Sequence, residues 1–126
     1  MPIRRSVLVV CLAAASPAFA QSQLYGTMKG TPSELFDDED RRLFRAAVKK
    51  ALDEAAVDEV VRWENPKTES HGELKVLSTF EWKNAPCRKI RVSNAARTRK
   101  SSNDFNLCRV GEKWKLVSPS ELKKTD

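Results

Sequence analysis

Cys87 and Cys108 close the stretch CRKIRVSNAARTRKSSNDFNLC, and the pair constrains the fold more than any other feature of the chain. If the two lie directly opposite in an antiparallel hairpin, every opposed pair of positions sums to 195. Ile90 then faces Phe105, Arg91 faces Asp104, and Lys89 faces Asn106. Ile90, Val92, Phe105 and Leu107 share one face, which is apolar. Lys89, Arg91, Ser93, Ser102, Asp104 and Asn106 share the other, which is polar. A slip of one residue mixes the two sets, so the alternation supports this register. Arg88 is the misfit, because it falls on the apolar side. A bond between the cysteines closes a loop of about 22 residues, worth on the order of 3 kcal/mol through the unfolded state.

Whether such a pair is oxidised depends on compartment, and the N-terminus speaks to that. MPIRRSVLVVCLAAASPAFAQ has a positive start at Arg4 and Arg5 and an apolar run from Val7 to Ala15. A small-x-small site, Ala18-Phe19-Ala20, precedes Gln21. This is the pattern of a secretory signal peptide over residues 1–20, cut between Ala20 and Gln21. The apolar run is shorter than the about 20 residues a membrane span needs. Lipidation at Cys11 would need a small residue before it, where Val10 stands. A periplasmic or envelope-associated location is therefore expected, ahead of an outer-membrane lipoprotein. The processed chain keeps two cysteines, which are most simply a disulfide. Its formal charge falls from +6 to +4 with the loss of Arg4 and Arg5. Outside the cytoplasm such a mild excess suits anionic envelope surfaces, and no nucleic acid partner is expected.

Gln21 to Gly30 is polar and carries two glycines, so residues 21–30 are expected to be a flexible leader. Thr31-Pro32 opens a short turn, with Glu34 at capping-box spacing. The acids at Asp37 to Asp40 then mark a helix start. Leu43, Ala47, Ala51 and Ala55 form one row at intervals of four, and Phe44, Val48 and Leu52 the next. That predicts an amphipathic helix of about four to five turns. From Glu59 the period changes to two. EVVRWE, ELKVLSTFEW, CRKIRVS, DFNLCRV and KWKLVS read as strands, with Leu74, Val76, Phe80 and Trp82 on one face of the second. No later segment supplies a helical crossover, so the strands are antiparallel. The expected class is α+β: one N-terminal helix on a four- to five-stranded meander, stapled by one disulfide. The domain should span 31–119, with 120–126 a polar C-terminal tail.

The order of motifs resembles a family. An aspartate-led helix (EDRRLFRAAVKKALDEA) is followed by Trp63-Glu64-Asn65-Pro66, then Gly72, Cys87-Arg88, Cys108, and Gly111 to Trp114 with Lys115-Leu116-Val117. This is similar to the C-terminal domain of the rickettsial 17-kilodalton surface antigen family of Gram-negative envelope proteins. The likeness covers about Asp38 to Ser118. It implies an exported envelope protein with a structural or interaction role and no enzymatic activity. The lipidated cysteine and glycine-zipper segment common in that family are not matched here, which favours a periplasmic form.

Chemistry is sparse. His71 is the single histidine, so a metal site or triad would have to be built on it alone. Asp37 to Asp40 lack calcium-loop spacing and its glycine. There is no glycine-rich phosphate loop, and no catalytic, metal or cofactor residue is assigned. The alternative to a structural role is a binding module. Arg97, Arg99 and Lys100 crowd the hairpin turn and would suit phosphate or carboxylate groups of lipopolysaccharide, peptidoglycan or an acidic protein. Nothing in the sequence fixes the oligomeric state.

Overall fold

The computed structural model describes residues 30–124. The expected signal peptide, its cleavage point at Ala20 and Gln21, and the leader up to residue 29 lie outside the described residues. A 3₁₀ turn, Pro32–Leu35, leads into helix α1, Asp38–Asp53. Five strands follow: β1 Val60–Glu64, β2 His71–Trp82, β3 Ala85–Ala96, β4 Arg99–Val110 and β5 Lys113–Val117. They form one antiparallel sheet in the order β1-β2-β3-β4-β5. The fold is α+β, as expected, with all five strands in a meander.

Helix α1 begins where the acids predict. Asp37 caps it, its side chain accepting from the Asp40 amide at 2.7 Å while the Asp40 carboxylate accepts from the Asp37 amide at 3.0 Å. These reciprocal bonds satisfy two of the amides a helix start leaves unpaired. The buried stripe runs through Phe44, Ala47, Val48, Ala51 and Leu52 and packs on Val61, Leu74, Val76, Ile90, Val92 and Leu107. Phe36 closes one end of this core, its ring edge-on to Trp63 with centroids 5.1 Å apart. The alanines bring the helix backbone close to the sheet, which the narrow stripe requires.

The hairpin register is the one the cysteines imply. Cys87 opposes Cys108, Ile90 opposes Phe105, and Arg91 opposes Asp104. The sulfurs are bonded at 2.05 Å, and both cysteines are buried, with 1% and 2% exposure. They lie on the face away from α1, as the alternation requires, but that face is not polar throughout. A second small core gathers there: Cys87, Cys108 and Val117, with Phe80, Trp82, Ala85 and Leu122 against them.

Two differences from the sequence-based expectation explain that second core. Phe80 and Trp82 were expected to share a face with Leu74 and Val76. In the structure Val76 opposes Ile90, yet Ser78 opposes Lys89, so Leu77 is an extra residue in β2. A bulge of one residue inverts the faces of everything after it. Phe80 therefore opposes Cys87 and lies beside the disulfide instead of under the helix. The second difference is the C-terminus. Pro119–Lys123, expected to open a polar tail after 119, forms a short helix, α2, whose Leu122 packs on the same cluster. Ser118 caps it, accepting from the Glu121 amide at 3.2 Å.

Among the described residues, no helix is long and apolar enough to cross a membrane.

Candidate functional site

The hairpin tip resolves into three separate positions. Arg97 and Thr98 make a two-residue connection between Ala96 and Arg99, with Arg97 at φ 54°. A left-handed residue suits a tight hairpin, because it matches the twist of the strands. Strand alternation then sends Arg99 and Lys100 to opposite faces of the sheet. On the helix side, the Arg99 guanidinium donates to the Glu34 carboxylate at 3.2 Å. The other Glu34 oxygen accepts from the Gly30 amide at 2.8 Å, so Arg99 ties the hairpin to the 3₁₀ turn. Lys100 opposes Ala95 and lies on the open face. Arg97, Arg99 and Lys100 do not converge on one point.

The open face of the sheet is where polar groups do come together. β1 pairs only with His71–Lys75 of β2, and β5 only with Asn106–Val110 of β4. Past the disulfide core and α2, a shallow groove of about 500 Å³ runs across β2, β3 and β4. His71, Glu73, Ser93, Lys100 and Ser102 line it. Ser93 and Ser102 share a hydroxyl hydrogen bond of 2.9 Å. His71 is exposed and its Nδ1 sits 3.0 Å from the Glu69 carbonyl.

Two acids on this face are already engaged. Glu73 accepts from Arg62 at 2.9 Å. Asp104 accepts two bonds from Arg91, at 2.9 and 3.3 Å. The Arg91 hydrogen bond holds the Asp104 carboxyl below its ordinary pKa, with the charges of Arg91 and Lys89 adding to it against a partial burial. The same bond raises the Arg91 pKa. Lys75 stands directly opposite Arg91 on the next strand, and Lys89 lies two residues along β3. Neither lysine forms an ion pair among the described residues. The sequence signal for this cluster was the face alternation that set Lys89 and Arg91 together. What concealed Lys75 was its place on another strand.

Residues that looked like candidates elsewhere have structural work. Asp40, from the acidic run, is 1% exposed. Its carboxylate accepts from Asn65 Nδ2 at 2.8 Å and from the Thr68 hydroxyl at 2.7 Å, besides the Asp37 amide. Burial opposes its charge, but these hydrogen bonds prevail and keep its pKa below the ordinary value. The Asn-Pro turn is thereby fastened to the start of α1. Arg88, the misfit on the apolar side, donates to the Ala51 carbonyl at 2.8 Å and also to that of Ala55. It satisfies carbonyls that a helix end leaves unpaired, and its charge suits the negative end of the dipole. Trp63 and Trp114 are likewise anchored, donating to Asn94 and Asp53 at 3.2 and 2.9 Å. Gly72 sits under Trp63 in the sheet. Among the described residues, no group of three or more His, Cys, Asp or Glu is placed to hold a metal ion.

No protein-family model matches the chain, and neither a curated protein nor a solved structure matches it.

Proposed function

We propose that the chain is an exported cell-envelope domain with a non-enzymatic, structural or interaction role, resembling the surface antigens. The observation that carries this is the pairing of an N-terminal export pattern with a buried, directly opposed disulfide in a small core. A domain of this size has a modest core, and a staple of this kind suits an oxidising compartment. Fractionation of cells, with intact mass of the protein recovered, tests it. A periplasmic protein starting at Gln21 and lighter by two hydrogens than its reduced form supports the proposal. An unprocessed cytoplasmic protein with free thiols refutes it.

A second reading, a binding module for an anionic envelope ligand, has its own support in the open sheet face. Lys100 belongs to that face together with Lys75, Lys89 and Arg91. The turn itself contributes less, since Arg99 is held by Glu34.

A further inference from the structure

We infer that the open sheet face is a docking surface for a phosphorylated glycan, held by Lys75, Lys89 and Arg91 at one end and Lys100 at the other. The inference deepens the binding-module reading and moves its centre from the hairpin turn to the sheet.

The first ground is an electrostatic cost without a structural return. Lys75 and Arg91 are opposed on neighbouring strands, where like charges destabilise the pair. Asp104 answers Arg91 from the other side, but no acid opposes Lys75 or Lys89. Lys75 opposes Val60 on its outer flank, and Lys89 lies between Ser78 and Asn106. Glu73 is engaged by Arg62. Lys75 and Lys89 are half-buried residues that form no ion pair among the described residues, and an external anion is the partner that fits them. A phosphate group offers several acceptor oxygens to such a cluster.

The second ground is what lies between the charged ends. From Lys89 to Ala95, the partner of Lys100, is six residues of β3, or about 20 Å of strand. Ser93, Ser102, Glu73 and His71 line the groove on that stretch. Hydroxyl, carboxylate and imidazole groups can exchange hydrogen bonds with sugar hydroxyls. An acidic peptide would instead place carboxylates along the middle of the groove beside Glu73, where they are repelled, whereas a glycan with phosphates at its ends places neutral hydroxyls there. The chemistry thus favours a hydroxylated backbone that carries phosphate groups.

The test uses the purified, oxidised protein in calorimetric titrations. The probes are a glucosamine disaccharide bearing two phosphomonoesters, its phosphate-free form, and poly-L-glutamate. The phosphorylated probe should bind, and weaken as salt rises from about 50 to about 200 mM. Lys75→Gln with Lys89→Gln should weaken it by about tenfold or more. Arg97→Gln at the turn should leave it within about twofold, since that side chain lies outside the groove. Lys75→Gln relieves a repulsion, so this variant should unfold no earlier than the native chain, which separates loss of binding from loss of fold. Absence of binding to the phosphorylated probe, equal binding to poly-L-glutamate, or a larger loss from the Arg97 variant would each overturn the inference. Because titration is done on purified protein, its outcome is independent of where the chain resides.

Discussion

The Arg88 guanidinium crosses from β3 to the end of α1 and donates to the carbonyls of both Ala51 and Ala55. One side chain thereby joins the disulfide hairpin to the helix, because Arg88 is the neighbour of Cys87 in the chain. Sequence alternation marks Arg88 only as an exception on an apolar face. The structure makes it the donor to the Ala51 carbonyl in the last turn of the helix and to the Ala55 carbonyl just beyond it.

Replacing Arg88 by methionine keeps most of the packing volume and removes the donors. The expected loss is about 1.5–3 kcal/mol, the range for hydrogen bonds to charged groups. Urea titration would show it as a lower midpoint with an unchanged slope. An unchanged midpoint would mean that water serves the two carbonyls equally well.

Gly72 has no room for a side chain. A Cβ there would lie 2.1 Å from Asn94 Oδ1, 2.5 Å from Trp63 Nε1 and 2.7 Å from the Ser93 carbonyl oxygen. Gly72→Ala must push the Trp63 ring or part β2 from β3. A cost of about 1–3 kcal/mol is expected for such overpacking. Thermal unfolding measures it, and a shift in tryptophan emission would locate the strain at Trp63.

Asp40 links the fold to acid. Its folded pKa lies below its reference value of 3.8. Its contribution is therefore complete well above pH 3.8 and is lost as pH falls through the lower, folded value. Asp40→Asn should cost on the order of 2 kcal/mol at neutral pH, by weakening three hydrogen bonds of a buried group. It should also flatten the stability curve at its acid end. Urea midpoints taken from pH 7 down to about pH 2 test both parts, and a variant with the native acid slope would assign that slope to other carboxylates.

Reduction of Cys87–Cys108 should lower stability by about 3 kcal/mol, and the double alanine variant should lose more, because it adds a cavity cost. Native and reduced protein compared by urea titration give the value. The second core should loosen first on reduction, seen as altered exposure of Phe80 and Trp82, while the helix signal in circular dichroism persists at low urea.

How much of this was legible can be judged residue by residue. The helix was legible because its acids, its alanine row and its Phe44-Val48-Leu52 row all repeat at helical spacing. The β3–β4 register was legible because two cysteines fixed it and the face alternation agreed. The faces of Phe80 and Trp82 were not, since a bulge at Leu77 leaves no mark in an alternating run. Leu122 was passed over for the same kind of reason, being one apolar residue in a charged stretch. In the candidate site, Lys100 was visible from its place in the turn, whereas Lys75 joins Arg91 only through the pairing of β2 with β3. Contacts made by local spacing can be read from a sequence; those made by a register between distant strands need the fold.

Leu77 acts on the sheet as a frameshift acts on a reading frame. Upstream of it, β2 gives Leu74 and Val76 to the helix; downstream, it gives Phe80 to the disulfide. Drawing Leu77 into the ladder would restore the frame, turning Thr79 and Glu81 toward the disulfide and Phe80 toward α1, whereas deleting Leu77 would remove the bulge and leave Phe80 opposite Cys87. Leu77 can be exchanged for other residues, and it can also be removed with the downstream faces kept, a tolerance of deletion that substitution scanning alone would never reveal.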